Sequence, residues 1–132
     1  MMESRTPSAA EASAYIAELV AAYPSIREVW LYGSRANGSA RPDSDWDYMA
    51  FADAETLKAL RADSRYRRDR IHLMIVTDGE HFEAPWMEGP RFEHGELSNG
   101  WHWENRSATK ARYLARKGDF QPKERCALKV YP

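Results

Sequence analysis

LYGSRANGSARPDSDWD, Leu31 to Asp47, leaves a hydrophobic run through a Gly-Ser pair, crosses a polar loop and re-enters an apolar stretch with an aspartate on each side of a tryptophan. Residues 27–32, REVWLY, read as a strand with Gly33 as its exit. Residues 34–44 read as a loop with one helical turn just after Gly33. Residues 46–52, WDYMAFA, read as the next strand. Alternation then places Asp45, Asp47 and Met49 on one side and Trp46, Tyr48 and Ala50 on the other.

Upstream, Ser8 and Glu11 have capping-box spacing, and Ala12, Tyr15, Ile16, Leu19, Val20 and Tyr23 recur close to a helical period until Pro24. Residues 1–7 read as a frayed terminus. Downstream, Asp53 can cap a helix, AETLKALRA, ending near Arg61 or Ala62. An Arg-rich loop over 63–70 leads into a third strand, RIHLMIV, at 70–76, and Thr77, Asp78 and Gly79 turn the chain. Residues 80–100, with Pro85, Pro90 and several glycines, predict an irregular excursion. WHWE at 101–104 predicts a short strand. SATKARYLARK, Ser107 to Lys117, predicts a helix closed by Gly118, and ALKVY a short final strand. The expected fold class is α/β (α+β): a small mixed sheet packed by helices on one or both faces. One domain is expected over 1–132, with a core at about 8–80 and an irregular region and C-terminal helix over 81–132.

A chain of 132 residues can bury one modest core. Its 43% hydrophobic and 30% charged content is that of a soluble globular protein. A net charge of −1 gives no bulk electrostatic case for nucleic acid or an anionic membrane. Cys126 is the single cysteine, so an internal disulfide is excluded and a cytoplasmic setting is expected. No run of eighteen apolar residues and no signal-peptide pattern is seen, nor any internal repeat.

The two aspartates pose a physical problem. At i and i+2 on a strand their carboxylates share a face, within the ~7 Å two-residue repeat. Like charges that close oppose each other's ionisation unless a cation lies between them. Mg²⁺ is a hard ion that takes one or two carboxylates together with phosphate oxygens. Gly33 lets the backbone approach a ligand. Ser34 adds a hydroxyl and, at the start of a helical turn, amide groups suited to phosphate; Arg35 adds a cation. A phosphate-holding turn beside a metal-holding carboxylate pair suits nucleotidyl transfer.

Gly33-Ser34, a polar spacer and Ser44-Asp45-Trp46-Asp47 resemble the Gly-Ser … Asp-x-Asp signature of the nucleotidyltransferase superfamily that includes DNA polymerase beta and the kanamycin nucleotidyltransferases. The run is most similar to the small bacterial minimal nucleotidyltransferase domains. The resemblance is specific over residues 29–52 and extends through element order to about residue 76. It implies that Asp45 and Asp47 coordinate Mg²⁺, and that Gly33 and Ser34 bind the β- and γ-phosphates of an NTP, with ATP favoured. Arg35 and Ser44 join Gly33 and Ser34 as expected nucleotide-binding residues. An acceptor hydroxyl would attack the α-phosphorus and release pyrophosphate.

The family pattern has a third carboxylate on a later strand. In RIHLMIV that place falls on His72, with Asp69 on the opposite face by alternation and Asp78 beyond the strand end. Asp45, Asp47 and His72 are therefore the expected catalytic residues. Imidazole can act as a base near neutral pH, but it suits Mn²⁺ better than Mg²⁺. The resemblance supports a metal-dependent enzyme that moves NMP, AMP first, to a hydroxyl of a protein or small molecule. The alternative is a catalytically degenerate binding module, such as the antitoxin-like partner of a helical toxin protein. Small-molecule modification of the aminoglycoside type would want a further wall for the acceptor, which a homo-oligomer could supply. His81, His94 and His102 match no zinc spacing. Trp86, Trp101 and Trp103 read as packing residues, with base stacking as the rival. The basic stretches 61–70 and Lys110 to Lys129 read as solvated faces, with phosphate, nucleic-acid or acidic-partner contacts as the rival.

Overall fold

The computed structural model describes residues 6–86, 94–115 and 123–132. Helix α1 (Ala9–Ala22) begins at the expected capping box: Glu11 N–H donates to Ser8 Oγ, and Ser8 N–H to Glu11 Oε1, both at 3.1 Å. Its buried residues, Ala12, Tyr15, Ile16 and Leu19, fall at i, i+3, i+4 and i+7, which lays one stripe on the sheet. Helix α2 (Ala54–Arg61) is capped by Asp53, whose carboxylate accepts from Thr56 N–H at 2.8 Å, and buries Leu57 and Leu60.

Strands β1 (Glu28–Tyr32), β2 (Trp46–Phe51) and β3 (Ile71–Val76) form the centre of the sheet. β1 and β2 are antiparallel, β2 and β3 parallel. These strands are buried on both faces, as interior strands must be when each face carries a core. Val29, Leu31, Tyr48, Ala50, Leu73 and Ile75 face the helices. Trp30, Tyr32, Met49, Met74 and Val76 face the other way, into a second cluster. The alternation expected for β2 holds.

The rest of the chain extends this sheet. β4 (His81–Glu83) and β5 (His94–Glu96) add an edge hairpin beside β3, where an irregular excursion is expected from the sequence. β6 (Glu104–Asn105), β7 (Lys110–Ala115) and β8 (Lys123–Tyr131) complete the order β5-β4-β3-β2-β1-β8-β7-β6. Of the expected strand WHWE only Glu104 is in β6, and the final strand is longer than ALKVY.

The helix expected over Ser107–Lys117 is instead a bend at 107–109 followed by strand β7 (Lys110–Ala115); Gly118, like Pro90 and the first five residues, lies outside the described residues. Ala, Lys, Arg and Leu favour helix as isolated residues, but by only fractions of ~1 kcal/mol each. Here Ala111 and Tyr113 alternate into the second cluster, and β7 pairs with β8 from Lys110↔Leu128 to Ala115↔Lys123. Tertiary burial and a full ladder outweigh that propensity.

The sheet curls so that its second face is closed by its own chain. Residues 97–103 cross from β5 to β6: Trp103 N–H donates to the Leu97 carbonyl at 2.9 Å, and Leu114 N–H to the Trp101 carbonyl at 2.7 Å. Trp101 then meets Tyr32, Phe82 and Tyr113, and Trp103 meets Trp30, Phe51 and Tyr113. Trp86 packs on the helix side and donates Nε1–H to the Leu60 carbonyl at 2.8 Å. Among the described residues no helix is long and apolar enough to cross a membrane.

Candidate active site

At one end of the sheet three side chains stand in a row on the curled face. Tyr32 ends β1, opposite Asp47 on β2, and Asp47 is in parallel register with His72 on β3. His72 Nδ1 is 3.5 Å from Asp47 Oδ1 and 3.4 Å from the Tyr32 hydroxyl. Asp47 and His72 are partly open to solvent, at 24% and 33% side-chain exposure. His72 thus occupies the strand position next to Asp47, as the sequence alignment places it.

Asp45 is not in that row. It precedes β2, is more exposed, and lies 3.5 Å from Arg70 Nη1. Arg70 has φ 65°, a left-handed conformation costing a non-glycine residue on the order of 1 kcal/mol, and its carbonyl accepts from Trp46 N–H at 2.9 Å. Among the described residues no group of three or more His, Cys, Asp or Glu is placed to hold a metal ion. Asp45 and Asp47 supply carboxylates, and further ligands would have to come from elsewhere.

Gly33 has φ 76°, and a Cβ there would collide with Asp47 Oδ2. Glycine is favoured here by the left-handed backbone, and a Cβ would also push the Asp47 carboxylate aside. The chain then makes a tight turn: Ala36 N–H donates to the Gly33 carbonyl at 3.1 Å, and Asn37 and Ser39 N–H to the Ser34 carbonyl at 3.2 Å each. A hydrogen-bonded turn, not a helix, therefore stands where one helical turn is expected.

Two expected nucleotide-binding residues are engaged within the loop. Arg35 stacks 4.3 Å over the Trp46 ring and donates Nη2–H to the carbonyls of Ser44 (2.8 Å) and Pro42 (3.3 Å). Ser44 Oγ accepts from Arg41 N–H at 2.8 Å. In this arrangement Arg35 and Ser44 fix the loop that carries Asp45.

Two residues missed in the sequence, Tyr113 on β7 and Asn37 within the turn, tie the turn to the far strands. Gly33 N–H donates to the Tyr113 hydroxyl of β7 at 2.8 Å. Asn37 Nδ2 donates to the Gly33 carbonyl at 2.7 Å and to the Cys126 carbonyl of β8 at 3.0 Å, while Cys126 N–H donates to Asn37 Oδ1 at 2.8 Å. Burial pushes the Tyr113 hydroxyl above the ordinary tyrosine range, which keeps it protonated. The signal available was the alternation of Ala111 and Tyr113, hidden under helix-forming neighbours.

A comparison with known families agrees with this geometry. Residues 15–77 match the family described as Polymerase beta, Nucleotidyltransferase. This segment belongs to that nucleotidyltransferase family. No curated protein matched the chain. The matched segment runs from the middle of α1 through β3 and includes Gly33, Asp45, Asp47 and His72; Tyr113 and Cys126 lie outside it. His81 is engaged elsewhere: its Nδ1 is 2.7 Å from Asp78 Oδ2, and its Nε2 3.4 Å from Glu96 Oε1. Most of the Arg-rich loop is exposed and paired, Arg65 with Asp63 and Arg68 with Glu18. A cavity of about 260 Å³ lies at the other end of β1 and β2, between Trp30, Phe51 and Trp103. Its carboxylates are already engaged, Glu28 by Trp30 and Lys129, Glu80 by Ser98.

Proposed function

We propose that this chain transfers a nucleoside monophosphate, AMP first, from an NTP to a hydroxyl of a protein or small molecule. The observation that carries this reading is the packing of the Gly33 turn against Asp47, with His72 in register on the adjacent parallel strand. A left-handed turn that favours glycine, set against a partly exposed carboxylate, supports a phosphate-holding role for the Gly33–Ser34 backbone.

The donor set suits Mg²⁺ with a triphosphate, which needs only one or two protein carboxylates; Asp45 and Asp47 would hold it. The ion would neutralise charge on the phosphates. Gly33 and Ser34 would seat the β- and γ-phosphates. The acceptor oxygen would bond to the α-phosphorus as the bond to the bridging oxygen breaks, and pyrophosphate would leave. His72 would take the acceptor's proton. Its imidazole, where the family pattern has a carboxylate, also favours Mn²⁺ relative to an all-oxygen set.

The same imidazole, with Asp45 held by Arg70, supports the second reading: a degenerate nucleotidyltransferase fold that binds a protein partner, such as a helical toxin, without turnover. Calorimetric titration of ATP with Mg²⁺, then with Mn²⁺, separates the two. The nucleotidyltransferase reading expects metal-dependent binding that is lost in the Asp45→Asn, Asp47→Asn double variant while the fold remains. Absence of binding with either metal by the folded wild type would sink it in favour of the partner-binding module.

A further inference from the structure

We infer that Tyr113 and Asn37 are positioning residues of the nucleotide site, and that the β7–β8 pair is therefore part of that site although it lies outside the family-matched segment. The inference rests on the nucleotide-binding reading above. Its basis is the Gly33 peptide, which is held at both ends by side chains. The N–H on its amino side donates to Tyr113 Oη at 2.8 Å, and the carbonyl on its carboxyl side accepts from Asn37 Nδ2 at 2.7 Å. Asn37 is itself fastened to β8 by a bidentate pair with the Cys126 backbone. The orientation of the Gly33–Ser34 turn is thereby referred to strands eighty or more residues away in sequence.

The consequence is geometric. Asp47 also lies so near that a Cβ on Gly33 would displace its carboxylate. A rotation of this peptide moves the phosphate-facing amides relative to the carboxylate. Sites of this kind lose efficiency when their parts shift by even ~1 Å. Tyr113 is fitted for the task. Its ring stacks on Trp101 and Trp103, with centroids 5.2 and 6.0 Å away, so the hydroxyl has little freedom. Raised by burial, that hydroxyl stays neutral across the working pH range and remains an acceptor for the Gly33 amide while keeping its own proton to donate.

Tyr113→Phe removes the hydroxyl and keeps the ring. Asn37→Ala removes the second tether from the opposite side. Two readouts are needed: amide exchange at Gly33 in the nucleotide-free protein, and ATP affinity with Mg²⁺ or Mn²⁺ by calorimetry. Tyr23→Phe, which deletes a hydroxyl bonded to Asp63 at 2.6 Å, serves as a control for simple loss of a hydrogen bond. The expected result is exchange at Gly33 faster by tenfold or more in Tyr113→Phe, and ATP binding weakened about tenfold in both Tyr113→Phe and Asn37→Ala, with Tyr23→Phe binding as the wild type does. Wild-type binding that persists undiminished in folded Tyr113→Phe and Asn37→Ala overturns the inference and leaves the nucleotide reading intact. Unchanged Gly33 protection in Tyr113→Phe overturns it as well. A wild type that binds no ATP defeats the nucleotide reading itself, and with it the inference.

Discussion

The two faces of the central sheet are built from the same three strands by opposite means. The face under α1 and α2 is closed with aliphatic side chains from separate helices, Leu19, Leu57 and Leu60 against Val29, Leu31, Leu73 and Ile75. The other face is closed by the sheet curling on itself, with Trp30, Tyr32, Trp101, Trp103 and Tyr113 meeting mostly edge to face. At one end of that second face the aromatic packing gives way to Asp47 and His72, both partly exposed. One face is a core and nothing else; the other is a core that passes into a site. Damage to the first should therefore appear only in stability, and damage to the second in both stability and binding.

The strongest test of that contrast is a pair of substitutions. Leu19 is fully buried, and Leu19→Ala is expected to cost about 2–5 kcal/mol. The folded fraction should still bind ATP with wild-type affinity. Trp103→Leu, which takes away the stack on Tyr113, is expected to cost about 1–3 kcal/mol and to weaken ATP binding as well. Urea unfolding gives the first quantity and calorimetry the second. Equal ATP affinity in the two variants would erase the distinction between the faces.

A smaller effect sharpens the site end. His72→Asp restores an all-oxygen donor set beside Asp47 and should tighten Mg²⁺-dependent ATP binding several-fold, on the order of 1 kcal/mol. Without Mg²⁺ the same variant should be less stable, because like charges would then face each other on neighbouring strands. Unchanged or weaker binding would give the imidazole a role of its own.

The smallest effect belongs to the exposed turn of the edge hairpin, at Asp78 and His81. Hydrogen bonding to Asp78 raises the His81 imidazole above its ordinary range. Hydrogen bonds from the His81 backbone and ring, and from Glu80 N–H, hold the Asp78 carboxyl well below its own. The raised His81 contributes stability in full below its unfolded value of ~6.5, and this is lost as pH rises through the folded value. The depressed Asp78 contributes above ~3.9 and loses that contribution as pH falls through its folded value. The hairpin turn should therefore be firmest between about pH 4 and 6.5. Amide exchange in β4, corrected for intrinsic rates, should show more frequent opening at pH 9 than at pH 6. His81→Gln should flatten the difference.

The parts legible in the sequence are those where burial and local pattern agree. β1, β2 and β3 are short apolar runs bounded by turn residues, and Ser8, Asp53 and Gly33 each sit where backbone geometry asks for them. The juxtaposition of Asp47 and His72 was legible because a parallel neighbour repeats the same alternation. Arg35 was read as a phosphate contact because charge is visible in a sequence, whereas its stack on Trp46 and its bonds to the loop carbonyls are not. β7 was misread because its residues are helix formers and its partner strand is distant in the chain. Tyr113 and Asn37 escaped notice for the same reason: a single hydroxyl and a single amide acquire their roles only when β7 and β8 come to lie next to β1.

The sheet order also sets a timetable. β1 is an interior strand, paired with β2 on one side and with β8 on the other, Val29↔Tyr131 through Leu31↔Leu128. During synthesis the segment 15–77 emerges first, and it carries β1 with one side bare. An unpaired, apolar strand edge is a template for the wrong partner. About a hundred residues must be made before the right partner exists, and closing so long a loop is a slow step. The strand that covers this edge brings Cys126 to Asn37 in the same movement. A nascent chain thus hides its hazard and secures its Gly33 turn at one moment, when β8 joins the sheet.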